Sequence, residues 1–97
     1  MLQTRRVPVP TRASVKARLI DLLSEITRLS PTQIGEDATI DSDLHMESVA
    51  FAEVQVTVED EYDIEIDPIE MLELNRLGAI VDYIYERAAE RANGGRT

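Results

Sequence analysis

The chain has 97 residues, with ten Lys and Arg against nineteen Asp and Glu and a formal net charge of −9. That length holds one domain with one modest core, enough for three or four helices, and excludes a nucleotide domain or a deep enclosed active site. Cysteine is absent, so there is no disulfide, no thiolate nucleophile and no thiolate metal site.

In chain order, residues 1–12 read as an extended leader, because Pro8 and Pro10 hold it away from helix. The leader carries arginines but no apolar core of a secretory signal. No apolar run approaches the ~18 residues of a membrane span, and a cytoplasmic location is the expectation. A first helix is expected from about Ser14 to Leu29. Val15, Leu19, Leu22, Leu23, Ile26 and Leu29 recur there at spacings of three and four. Ser30-Pro31 stops it. Residues 31–46 form a long connection in which Ile34, Ile40 and Leu44 can pin the chain to a core.

Residues 48–62 carry two patterns. Val54-Gln55-Val56-Thr57-Val58 alternates as a strand would. Val54, Val58 and Tyr62 also fall on one helical face, with Val49 and Ala50 near it. The alternation fails at Val49-Ala50-Phe51-Ala52, and no partner strand is present, so the expectation is a helix held by tertiary packing. Asp67-Pro68-Ile69-Glu70 then starts a short helix through about Leu74, with Asp at N-cap and Pro at the first position. Asn75 is expected to cap a last helix striped by Leu77, Ile80, Val81, Ile84 and Ala88, and Asn93-Gly94-Gly95 to end it.

Charge is unevenly spread. No Lys or Arg lies between Arg28 and Arg76, while residues 36–73 hold fourteen carboxylates. This is either a solvated surface that keeps a small domain soluble or a docking face for basic partners. In both cases the field repels nucleic acid. The basic strip Arg5, Arg6, Arg12, Lys16 and Arg18 is short, lacks interleaved aromatics, and reads as tail and first-turn surface.

Catalysis has little to work with. The one histidine, His45, stands near Ser48, Asp43 and Glu47, but close neighbours on a loop cannot easily form a preorganised triad. No Asp-x-Asp-x-Asp-Gly loop with a Glu at the twelfth position offers a calcium site, and no metal site is expected. Ser48 remains, at the first turn of a helix whose N-terminus favours an attached phosphate. Serine is also an ordinary helix-start residue, and the spacing alone leaves both readings open.

Three stretches together resemble the acyl carrier protein family and the related phosphopantetheine-binding carrier domains of polyketide and nonribosomal peptide synthesis. The first is Leu44-His45-Met46-Glu47-Ser48-Val49, against the family's Leu-Gly-x followed by Asp-Ser-Leu. The second is the acidic run Glu59-Asp60-Glu61-Tyr62 leading through Asp63-Ile64-Glu65-Ile66 to Asp67-Pro68. The third is Leu77-Gly78-Ala79-Ile80-Val81-Asp82-Tyr83-Ile84. The resemblance spans about residues 14–88. It departs at His45, where the family has Gly, and at Glu47, where it has Asp. These departures mark a divergent member.

The resemblance implies an all-α, acyl-carrier-like bundle of three main helices plus one short helix, with a long loop between helices one and two. It implies a leader over 1–12, a carrier domain over 13–91 and a tail over 92–97. Ser48 is the implied attachment point of a covalent 4'-phosphopantetheine drawn from coenzyme A. Glu47, Val49, Glu53, Glu59 and Asp60 are the implied partner-binding residues. The implied core is Leu19, Leu23, Leu44, Val54, Val58, Tyr62, Ile66, Leu77, Ile80 and Ile84.

The implied function is a non-catalytic carrier holding acyl groups as thioesters, in fatty acid, polyketide or related specialised biosynthesis. The arm would supply the thiol that the chain lacks. The implied partners are a phosphopantetheinyl transferase and acyl-activating, ketosynthase or acyltransferase enzymes with basic docking patches, met by a monomer. A peptidyl carrier, or an unmodified carrier-like interaction module, is the alternative.

Overall fold

The structure, a computed structural model, describes residues 10–44 and 48–92, with Ser48 described by its backbone alone. Among the described residues four α-helices carry the fold: α1 Arg12–Thr27, α2 Ser48–Tyr62, α3 Pro68–Leu74 and α4 Leu77–Ala92. A short 3-10 turn, Pro31–Gln33, stands in the long loop between α1 and α2. The architecture is the all-α bundle expected, with one short helix among four.

α1 starts two residues earlier than the stripe predicts. Thr11 is its N-cap, and a reciprocal capping box joins Thr11 to Ser14, which is therefore the third residue inside the helix and not its start. The helix stops at Thr27, short of Leu29, because Arg28 turns left-handed (φ 68°) and its N–H donates to the Ser24 carbonyl. Ile26 and Leu29 sit at the edge of the core, while Val15, Leu19, Leu22 and Leu23 are inside it.

The 48–62 segment is helical throughout. Phe51, Val54 and Val58 are buried while Val56 is exposed. Burial every three to four residues is the helical period, so packing settles the ambiguous alternation. Val49 lies off the buried face and is 75% exposed. Of the expected core, Tyr62 is partly buried against the cluster and the others are buried. Phe51 and Met71 join them, and Met71 is completely buried.

Asn75 does not do what its position suggests. It is the left-handed C-cap of α3 (φ 58°), and its N–H donates to the Met71 carbonyl. The N-terminal cap of α3 is Asp67, as expected, accepting from the Ile69 N–H at 3.0 Å. The expected stop at Asn93-Gly94-Gly95 lies outside the described residues.

The long loop is tied at many points. Ile34, Ile40 and Leu44 are buried as anchors. The Leu77 N–H donates to Ala38 O and the Gly78 N–H to Glu36 O, both at 2.9 Å. Glu36 lies so close to Gly78 that a Cβ there would stand 2.9 Å from Glu36 Oε1 and 3.3 Å from its carbonyl oxygen. Glycine leaves this approach free, where a Cβ would make the Glu36 side chain shift. Arg12 completes the clasp: its guanidinium meets both Glu36 oxygens at 3.0 Å and Asp82 at 2.5 Å. Lys16 also pairs with Glu36, and Arg18 pairs with Glu61. Arg12, Lys16 and Arg18 of the expected basic strip are thus engaged within the chain, and Arg5 and Arg6 lie outside the described residues.

Candidate functional site

Ser48 is the first residue of α2. The opening N–H groups of a helix have no partner within it, and the helix dipole adds partial positive charge there. No acidic side chain lies in the first turn of α2; the first one within the helix is Glu53. The unpartnered N–H groups of that turn suit an anionic phosphodiester at the Ser48 position, and among the described residues no carboxylate of the turn opposes it. His45 and Glu47, two of the residues singled out from sequence, lie outside the described residues.

α2 presents an exposed face running away from Ser48. Val49, Glu53, Val56 and Asp60 are separated by four, three and four residues, which places them on one side of a helix. Val49 and Val56 are 75% and 58% exposed, and Glu53 and Asp60 are exposed beside them. This face borders an open groove of about 560 Å³ between α1 and α2, lined in part by Leu22, Ile26, Val49, Ala52 and Val56, with Glu25 and Glu53 on it. Val56 was not picked out as a surface residue, although its seven-residue spacing from Val49 is visible in the sequence.

Glu59 stands apart. Its carboxylate accepts the Ile66 N–H at 2.9 Å, and the residue is half-buried. The structure thus gathers Val49, Glu53 and Asp60 on one face and turns Glu59 to an internal bond. Among the described residues there is no group of three or more metal-ligating side chains, and no helix is long and apolar enough to cross a membrane.

The fold is a bundle with a pinned first loop and a serine opening its second helix. A family profile described as "PP-binding: Phosphopantetheine attachment site" matches residues 17–84. The chain belongs to this phosphopantetheine attachment site family. Its cofactor is covalently attached 4'-phosphopantetheine, and its function is that of a non-catalytic carrier.

The chain is 29% identical over 82 residues to an acyl carrier protein of Rhodococcus erythropolis, covering 84% of this chain and 90% of the relative. It is 26% identical over 80 residues to the meromycolate extension acyl carrier protein of Mycolicibacterium smegmatis, covering 82% and 81%. It is 35% identical over 78 residues to the mitochondrial acyl carrier protein of Saccharomyces cerevisiae, covering 76% and 62%. The fold matches the NMR structure of an HMG-ACPI domain from the CurA module of Lyngbya majuscula with a TM-score of 0.73, at 20% identity, covering 94% of this chain and 91% of that one.

Proposed function

We propose that this chain is an acyl carrier protein that bears its phosphopantetheine on Ser48 and carries acyl intermediates in fatty acid, polyketide or related specialised biosynthesis. The observation that carries the attachment reading is the position of Ser48 as the opening residue of α2 within the matched span. The other serine and threonine hydroxyls of the α-helices are already engaged. Ser14 belongs to a capping box, Ser24 donates to Leu29 O, and Thr27 and Thr57 donate back to Leu23 O and Glu53 O. The acyl reading is supported by the relatives, whose names are those of acyl carrier proteins.

In loading, the Ser48 hydroxyl oxygen attacks the phosphorus of coenzyme A that bears the pantetheine. A phosphoester bond to Ser48 forms, the diphosphate bond breaks, and adenosine 3',5'-bisphosphate leaves. The hydroxyl proton goes to a base on the phosphopantetheinyl transferase. The attached group supplies the thiol on which acyl thioesters are held. The N-terminus of α2 stabilises the phosphodiester charge. The Val49, Glu53, Val56 and Asp60 face meets the transferase and the acyl-activating, ketosynthase or acyltransferase partners, with the acids steering toward basic patches. The working unit is the carrier domain expected over 13–91, which α1 with its Thr11 cap and the last residue of α4 extend to 11–92, acting as a cytoplasmic monomer.

The test of cargo is to isolate the protein from its own cells under mildly acidic conditions and measure intact mass before and after hydroxylamine. A hydroxylamine-labile acyl mass supports the proposal. A labile aminoacyl mass contradicts it in favour of a peptidyl carrier.

A further inference from the structure

We propose that Asn75 is a positioning residue for the modification of Ser48. Its side chain latches the turn leading toward α2 in the conformation that a phosphopantetheinyl transferase engages. The proposal rests on Ser48 as the attachment residue.

Asn75 meets this turn through three of its groups. Its backbone carbonyl accepts the Ile40 N–H at 2.9 Å. Its Oδ1 accepts from the same N–H at 3.1 Å and from the Asp41 N–H at 3.3 Å. Its Nδ2 donates to Asp41 Oδ1 at 3.1 Å. Asn75 is also left-handed, with φ 58°. Glycine would serve that conformation without strain, and aspartate would supply the acceptor without the donor. Asparagine combines tolerance of the left-handed cap with both an acceptor and a donor. The cap alone does not call for this side chain; the turn does.

The turn it holds is a closed unit. The Thr39 N–H donates to Asp43 Oδ2 at 2.9 Å, and the Leu44 N–H donates to Thr39 O at 3.0 Å. Leu44, at its end, is buried. Ser48 follows Leu44 by four Cα steps, a span of at most about 14 Å. Upstream, residues 36 and 38 are fastened to α4 by backbone bonds that do not involve Asn75. Removing the amide therefore frees the Asp41 N–H and carboxylate and takes one of two acceptors from the Ile40 N–H, while the residue-75 carbonyl, the bundle and the earlier loop stay tied. A carrier whose engaged turn is only fractionally populated binds its transferase more weakly in proportion.

The experiment uses coenzyme A, a broad-specificity phosphopantetheinyl transferase and the full chain, well below its melting temperature. Asn75→Gly keeps the left-handed cap and deletes the latch. Asn75→Asp sets two carboxylates against each other. The double variant Asn75→Asp with Asp41→Asn reverses the donor and acceptor and keeps the total charge of the pair.

The two single variants should raise the transferase KM for the carrier about three- to tenfold with kcat within about twofold. The double variant should return KM to within about twofold of the wild type. Amide exchange at Asp41, whose N–H is held by the side chain, should quicken in Asn75→Gly and recover in the double variant. Unchanged KM in both single variants, or a loss that the double variant does not recover, overturns the assignment. Unchanged exchange overturns the latch itself, whatever the kinetics. A wild type that accepts no group overturns the Ser48 reading and this use of the latch together, and the exchange measurement still separates the two failures.

Discussion

The Glu59 carboxylate accepts the backbone N–H of Ile66 at 2.9 Å, joining the last turns of α2 to the segment that leads into α3. Ile66 is buried, so losing its partner leaves a poorly solvated N–H. Glu59→Ala should destabilise the fold by ~1–2 kcal/mol, and Glu59→Gln, which keeps an acceptor, by less. Urea melts of the three proteins check this. Equal stability in all three would show that water replaces the carboxylate at no cost.

Glu53 behaves differently because it is exposed and its carboxylate makes no such bond among the described residues. Glu53→Lys should change stability by less than ~0.5 kcal/mol. It should slow acyl transfer to a basic partner and flatten the salt dependence that the wild type shows. Initial rates across a salt series measure both. Identical rates and slopes for the two proteins would remove Glu53 from the interface.

The clasp around Glu36 should appear in acid. Hydrogen bonds from Arg12 first, and then from Lys16, lower the Glu36 pKa from the ordinary carboxylate range to about 2. A carboxylate depressed in the folded state contributes stability that is complete above its unfolded pKa and is lost as pH falls toward the folded value. Glu36 should therefore contribute fully at neutral pH and lose its contribution between about pH 4.5 and about pH 2. Urea midpoints of wild type and Glu36→Gln should converge over that window, and added salt should narrow the gap at neutral pH. Parallel midpoints down to pH 2 would contradict the clasp.

Met71 tests the core at α3, the shortest of the four α-helices. Its side chain is completely buried, so Met71→Ala should cost about 2–4 kcal/mol through lost transfer energy and a residual cavity. Leu72, one residue on, is 51% exposed. Leu72→Ala should shift stability by less than ~1 kcal/mol. Thermal or urea melts of the pair give the contrast, and similar losses in both would mean that α3 packs in another register.

The helices were legible where burial follows the chain's own period. The α4 stripe Leu77, Ile80, Val81, Ile84 and Ala88 is buried as read, and Asp67-Pro68 starts α3 as its cap chemistry requires. Ser48 was legible as a helix start because the segment after it could not be a lone strand.

Met71 and Phe51 were missed because each lies in a short or mixed stretch where period alone does not select a face. The structural roles of Asn75 and Glu59 were not legible for a different reason. Asn75 holds Ile40 and Asp41 across more than thirty residues of chain, and Glu59 holds Ile66 across a turn. Such bonds exist only once the fold has brought the backbone groups together. Cap chemistry predicted that Asn75 would cap the last helix; the structure makes it the C-cap of α3 instead, and only the geometry shows what else its amide holds.

The central claim is that one serine carries the cofactor. Incubating the full chain with coenzyme A, magnesium and a phosphopantetheinyl transferase, then measuring intact mass and fragmenting the product, tests it directly. The mass should rise by one phosphopantetheinyl group, fragment ions should place that group on Ser48, and Ser48→Ala should gain nothing. A group found on another residue, or no gain with several transferases acting on a folded wild type, would contradict the account.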